Sequence, residues 1–263
     1  MDLEQGQQAR AALGRASVLS RNSLERAALA LFACSVFAGT YFGLGWRIDP
    51  QRAHALGFPL DARIPFVAGS IWVYLSLFPL AFLPLFVVRC PRLFRRTIAA
   101  YVTAILLAAA VFLAYPVTST GLRVDAAGLD TMRFAPWTVA LLYRLDPPVN
   151  LFPSLHLAVA LLSALVAWKA RASYGALALA ALIPIAISIT TVKQHFVVDG
   201  IAGAALASIV YGWMVHGYEP RAGQEPAYGW RGPASFCAIV IGAYAGLYLV
   251  YASGASINPS PTM

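Results

Sequence analysis

Residues 66–115 read FVAGSIWVYLSLFPLAFLPLFVVRCPRLFRRTIAAYVTAILLAAAVFLAY. Two apolar runs, 66–88 and 97–115, flank a short basic segment that carries Arg89, Arg92, Arg95 and Arg96. Each run has about the twenty residues that a helix needs to cross the hydrocarbon core of a bilayer. Backbone in lipid must satisfy its own hydrogen bonds, so a run of this kind is helical. The pattern extends outward on both sides, with further spans at 27–46, 152–168, 174–192, 196–215 and 234–252. The fourth span, 152–168, is short in strictly apolar residues, and the fifth is interrupted by Pro184. The expected fold is therefore all-α: a polytopic membrane bundle of six or seven transmembrane helices.

Composition agrees, with 60% of the 263 residues apolar and 11% charged. A water-soluble chain of this size needs more charge to cover its surface. Nothing resembling a linker, repeat or low-complexity stretch divides the chain, so residues 1–263 read as one membrane domain. Its N-terminal segment, 1–24, is polar and basic. The first span is too long for a signal-peptide core and lacks a cleavage site, so it is expected to stay in the protein. The cysteines Cys34, Cys90 and Cys237 show neither metal-ligand spacing nor a disulfide framework and read as buried, inert thiols.

The net charge of +8 does not mark a nucleic-acid binder, because no basic stripe with interleaved aromatics is present. The basic residues instead gather between apolar blocks. Alternating the spans puts twelve on the N-terminal side: Arg10, Arg15, Arg21, Arg26, Arg89, Arg92, Arg95, Arg96, Lys169, Arg171, Arg221 and Arg231. Seven fall on the other side: Arg47, Arg52, Arg63, Arg123, Arg133, Arg144 and Lys193. The positive-inside rule then makes the N-terminus cytoplasmic and, after seven spans, the C-terminus external. The longest external segment, 116–150, carries a short helical pattern at Trp137–Leu145 and is where function is expected to lie.

Charged and titratable groups in membrane spans are costly, so each needs a reason. His54 and His216 lie in loops and read as solvated. His195 and Asp199, in KQHFVVDG (193–200), are four residues apart at the start of the sixth span and would share a helix face. The carboxylate would fix the imidazole tautomer and free the other nitrogen to attack or to take a proton. A structural pair locking two helices has the same spacing. FPSLHLA (152–158) opens the fourth span: Pro153 suits a first helical turn, Ser154 can cap it, and the positive helix end favours an anion beside His156. Taken alone, His156 is also an ordinary interfacial histidine. Arg123 and Lys193 are cations able to neutralise phosphate oxygens; Arg133 and Arg144 read as loop charges. By alternation, His156, His195, Lys193 and Arg123 all fall on the external side, as a covalent phosphoryl-transfer site requires.

PSLH (153–156), about forty residues later followed by HFVVD (195–199), resembles the phosphatidic acid phosphatase type 2 superfamily, which includes lipid phosphatases and the sphingomyelin and inositol phosphorylceramide synthases. The first element looks like that family's PSGH, the second like its HxxxD. IPFVAGSIWVYL (64–75) and KQHFVVDGIAG (193–203) resemble the synthase branch. Three departures stand out: Arg123 has no following Pro, Ser188-Ile189 lacks the family's Arg, and Leu155 replaces the small Gly.

The resemblance implies a catalytic core of about 97–215, with His195 as nucleophile, Asp199 orienting it and His156 as acid and then base. Arg123, Lys193 and Ser154 would hold the phosphate, with no cofactor and no metal. Two His and one Asp are also a zinc donor set, but the resemblance assigns them to acid–base work. The expected partners are the bilayer, a phosphorylated lipid substrate and a lipid alcohol acceptor, with nucleic acid excluded and the oligomeric state open. Head-group transfer between lipids is favoured over plain hydrolysis. A lipid-phosphate transporter or flippase, and a scaffold with a decayed site, would carry the same intramembrane charges.

Overall fold

The computed structural model describes residues 2–219 and 229–255, with side chains from residue 22 onward. The side chains of Arg10, Arg15 and Arg21, and the whole of Arg221, lie outside the described residues. The chain forms helices α1 (Asp2–Gly45), α2 (Pro59–Arg63), α3 (Ile71–Leu75), α4 (Leu77–Val87), α5 (Pro91–Ala114), α6 (Phe134–Leu145), α7 (Leu155–Ala170), α8 (Ala172–Thr191), α9 (Val197–Met214) and α10 (Arg231–Ala252). Six helical stretches among the described residues are long and apolar enough to cross a membrane: Asn22–Gly45 within α1, Ala68–Val87, and helices α5, α8, α9 and α10.

The seventh apolar helix, α7, is shorter and lies at the centre of the bundle. It packs against α4, α5, α8 and α9, so protein rather than lipid surrounds it. Ala158, Ala160, Ala164 and Ala167 are fully buried on it, and small residues let neighbouring helices approach closely. Ser163 donates its hydroxyl to Leu80 O at 2.6 Å, so its polar group is satisfied inside the bundle.

Two spans differ in detail from the sequence reading. Pro184 does not break the fifth; α8 runs continuously past it. The second divides at Ser76 into α3 and α4, where Pro79 falls in the first turn of α4. The missing proline N–H costs little there, since first-turn amides have no partner within the helix. Helix α10 has no buried residue and lies at the perimeter, tied to the bundle by Tyr244, which bonds Trp72 O and Ser76. Cys237 is exposed on it, whereas Cys34 and Cys90 are half-buried, so the expectation of three buried thiols holds for none of them fully.

Charge separates between the two ends of the bundle. At one end Arg95 pairs with Glu25, Arg26 donates to Val88 O and Leu85 O at 2.6 Å, and Lys169 donates to His216 O at 2.8 Å. At the other, His54 N–H donates to Pro116 O, Thr118 N–H to His54 O and Ser119 N–H to Pro148 O. The His54 ring is exposed and stacks on Tyr115 with centroids 4.2 Å apart. Helix α6 covers this second end, with Trp137 Nε1 donating to Ala255 O and Tyr143 Oη to Val192 O at 2.7 Å. Burial pushes the Tyr143 phenol up to about 12.

Candidate functional site: a histidine cluster under the loops

The approach to His195 is a tight turn. After α8 ends, Lys193 takes φ 57°, in the left-handed region that costs a non-glycine residue about 1–2 kcal/mol. Gln194 N–H and His195 N–H both donate to Ile189 O, and Lys193 Nζ donates to Asp61 O and Ile64 O, which holds the turn. His195 thus precedes α9; it does not lie on it. The contact with Asp199 arises from the cap. Asp199, third residue of α9, accepts the N–H of the N-cap Phe196 through Oδ2 at 2.9 Å, and the same oxygen lies 3.4 Å from His195 Nδ1.

Both groups are buried, Asp199 completely. At 3.4 Å the pair is within ion-pair reach but longer than a normal hydrogen bond, and His195 Nδ1 and Asp199 Oδ1 have no hydrogen-bond partner among the described residues. His195 Nδ1 therefore has Asp199 Oδ2 as its nearest compensation for lost water, while that oxygen is also held by the Phe196 N–H. A second carboxylate steadies the same turn: Asp61, also buried, accepts from Phe58 N–H and from Val197 N–H at 2.8 Å.

The start of α7 meets this turn from the side. Ser154 is its N-cap and accepts Leu157 N–H through Oγ; Pro153 precedes the cap and does not occupy the first turn. Ser154 N–H donates to Asp199 O at 2.9 Å, and Ser154 Oγ lies 3.2 Å from His195 Nε2. Gly203, one turn further along α9, admits this approach, since a Cβ there would collide with Ser154 O. His156 Nδ1 stands 3.5 Å from His195 Nε2, and its ring packs edge-on to Tyr41 and Phe78. Leu155 turns away into a cluster with Tyr41, Ile105 and Phe112, which gives the larger side chain a packing role.

Arg123 reaches the cluster from the loop after α5. Nε donates to Gln194 Oε1 at 2.9 Å, and Nη1 donates to Tyr143 O and Asp146 O, both at 3.1 Å. Nη2 lies 3.4 Å from Asp146 Oδ2, and the guanidinium stacks over the Tyr143 ring. Asp146 also accepts from Tyr41 Oη at 2.9 Å and from Gln194 Nε2 at 3.2 Å. The structure therefore gathers His195, Asp199, His156, Ser154 and Arg123. Lys193 is near in sequence, but its ammonium is turned onto the Asp61 and Ile64 carbonyls. Asp146, Gln194, Tyr41 and Asp61 were not singled out from the sequence; the one local cue was an acidic residue at 146 between α6 and Pro147-Pro148.

Two apolar cavities end at His156. One, about 280 Å³, lies among α1, α4, α5 and α7, with Cys34, Phe37, Phe78, Ile105 and Leu155 on its wall. The other, about 310 Å³, reaches toward α6 and is bordered by Tyr41, Leu142 and Asp146. A family model described as the PAP2 superfamily matches residues 46–213, more than half of the chain, and covers His156, His195, Asp199, Ser154, Arg123 and Asp146. The chain belongs to the PAP2 superfamily. Among curated proteins and among solved structures, nothing matches it. Membership in the PAP2 superfamily suggests phosphatase or phosphotransferase activity, and the match assigns no branch within the superfamily.

Proposed function

We propose that this PAP2 protein is a metal-independent lipid phosphotransferase that works through a phosphohistidine on His195, at the extracytoplasmic face. The observation that carries the reading is the junction at His195. Its Nδ1 faces Asp199, while its Nε2 faces Ser154 Oγ and His156 Nδ1. Nε2 is thus the nucleophile. It attacks phosphorus, the bond from phosphorus to the leaving lipid oxygen breaks, and His156 gives that oxygen its proton. The positive charge gained by the His195 ring falls beside Asp199, and the 3.4 Å contact then shortens into a charged hydrogen bond. In the second half His156 takes a proton from the incoming hydroxyl, which attacks phosphorus and releases His195.

Arg123 supports the phosphoryl oxygens because its guanidinium is held beside Gln194, the neighbour of His195. Ser154 Oγ and the amides of the first turn of α7 supply further donors. Lys193 serves in this account through its carbonyl contacts, which set the turn. The substrate is a lipid because the acid–base group, His156, opens on apolar cavities. The same walls disfavour water and favour an alcohol on a lipid as acceptor, hence head-group transfer over hydrolysis. The site belongs to the end opposite the Arg89–Arg96 segment, and the positive-inside rule puts that end outside.

Product analysis tests the reading. A phospholipid labelled in its phosphate is given to the purified protein, with and without ceramide or diacylglycerol. Transfer predicts a labelled lipid whose formation depends on the acceptor. Release of free phosphate alone, at a rate that no acceptor changes, makes the protein a phosphatase. Label that stays in the donor under all conditions favours a protein that binds or moves lipid phosphates without cleaving them.

A further inference from the structure

We infer that Asp146 is a specificity-determining residue that biases this site toward phosphodiester monoanions and against phosphomonoester dianions; the inference rests on the phosphotransfer reading above. Its carboxylate is nearly buried and meets three donors: Arg123 Nη2 at 3.4 Å, Gln194 Nε2 at 3.2 Å and Tyr41 Oη at 2.9 Å. It also borders one of the two cavities that end at His156. The cation that would meet a phosphoryl group is therefore already compensated by a fixed negative charge.

The charges around the site sharpen the point. Lys193 and Arg123 are its cations, and Asp61, Asp146 and Asp199 are its carboxylates; the titratable rings facing Asp146 and its partners are Tyr41, Tyr74, Tyr143, His156 and His195. Lys193 Nζ is engaged by the Asp61 and Ile64 carbonyls, which leaves Arg123 as the guanidinium beside the nucleophile's turn. A diester brings one negative charge to that balance. A dianionic monoester brings two, and the second has Asp146 as a near neighbour in a site with little water to screen it. Like charge against the wrong ligand is a standard route to discrimination.

The geometry also makes the test clean. Arg123 is fixed by the main-chain carbonyls of Tyr143 and Asp146, which do not depend on the Asp146 carboxylate, and by Gln194 Oε1, whose amide also donates to that carboxylate. Asp146→Asn therefore removes a charge and leaves an acceptor and most of the scaffold. The full-length protein in detergent, with ceramide present as acceptor, is given dioleoyl phosphatidic acid (a monoester) or dioleoyl phosphatidylglycerol (a diester), and diacylglycerol release is measured from each. The wild type favours the diester. Asp146→Asn raises the monoester-to-diester ratio of kcat/KM by at least roughly tenfold, and Asp146→Glu keeps the wild-type ratio. A ratio unchanged in Asp146→Asn, or equal losses on both lipids, would mean that Asp146 is structural only and overturns the inference.

The wild type offers a second reading that needs no variant at this position. A monoester loses its second proton near pH 6, so the monoester-to-diester ratio rises as pH falls from 7.5 to 5.5. Taking the ratio cancels those titrations of the enzyme that act alike on both substrates. A flat or opposite trend overturns the inference. Retention of the two lipids by His195→Ala protein reads the same preference without turnover. If the wild type releases no diacylglycerol from either lipid, the phosphotransfer reading fails, while that retention still decides the role of Asp146.

Discussion

Gly203→Ala puts one methyl group into the closest approach of α9 to the cap of α7. The added Cβ would collide with Ser154 O and lie 3.2 Å from Ser154 Cβ, and a carbonyl of the backbone cannot swing aside as a flexible side chain can. Restoring ordinary van der Waals contact requires the two elements to separate by about 1 Å. That separation acts on two contacts at once: Ser154 N–H to Asp199 O at 2.9 Å, and Ser154 Oγ to His195 Nε2 at 3.2 Å. Overpacking of this kind costs about 1–3 kcal/mol, which lowers the melting temperature by of order 5 °C. Displacing reacting groups by about 1 Å can cost on the order of 10²-fold in rate. Gly212→Ala is the control on the same helix, because a Cβ there meets nothing within 4 Å. The assay is phospholipid turnover together with thermal unfolding in detergent. Wild-type rate and stability in Gly203→Ala would refute the packing argument, as would equal damage from the two substitutions.

Asp199→Asn should reduce turnover less than His195→Ala, because the imidazole survives in a poorer tautomer and orientation; it should also weaken the α9 cap, by roughly 1 kcal/mol. Initial rates and unfolding curves for the two variants check both parts, and a larger loss in Asp199→Asn than in His195→Ala would contradict the assignment. In a background with Cys34, Cys90 and Cys237 replaced, a cysteine at Gly121 should react with an impermeant thiol reagent added outside intact cells, and one at Arg92 should not. Both positions are exposed in the structure, so the reverse pattern would place the site on the inner face.

Most of the scaffold was legible because hydropathy encodes it directly. Each of the seven expected spans is apolar and helical, the second divided at Ser76, and the fourth, read as short in strictly apolar residues, is the shorter helix α7. The two motifs were legible because their chemistry is local: Ser154 caps its own helix, and Asp199 lies four residues after its histidine. The geometry between the last two was not. Spacing of four suggests a shared helix face, whereas the pair is made by a left-handed turn at Lys193 and an N-cap at Phe196. The same turn spends the Lys193 ammonium on carbonyls of a segment some 130 residues earlier, which no local pattern announces. Asp146 was hidden for a like reason. Its partners Tyr41, Arg123 and Gln194 come from three distant parts of the chain, and only packing brings them together.

The central claim is that His195 carries the phosphoryl group. The direct measurement is to quench the purified protein during turnover of a phospholipid labelled in its phosphate, and to find the label. The account predicts an acid-labile, base-stable phosphoryl adduct on the peptide that contains His195. It should vanish in His195→Ala and accumulate in His156→Ala when the donor carries a good leaving group that needs no proton, since the second step lacks its base. Turnover that persists in His195→Ala, or label found on another residue, would contradict it.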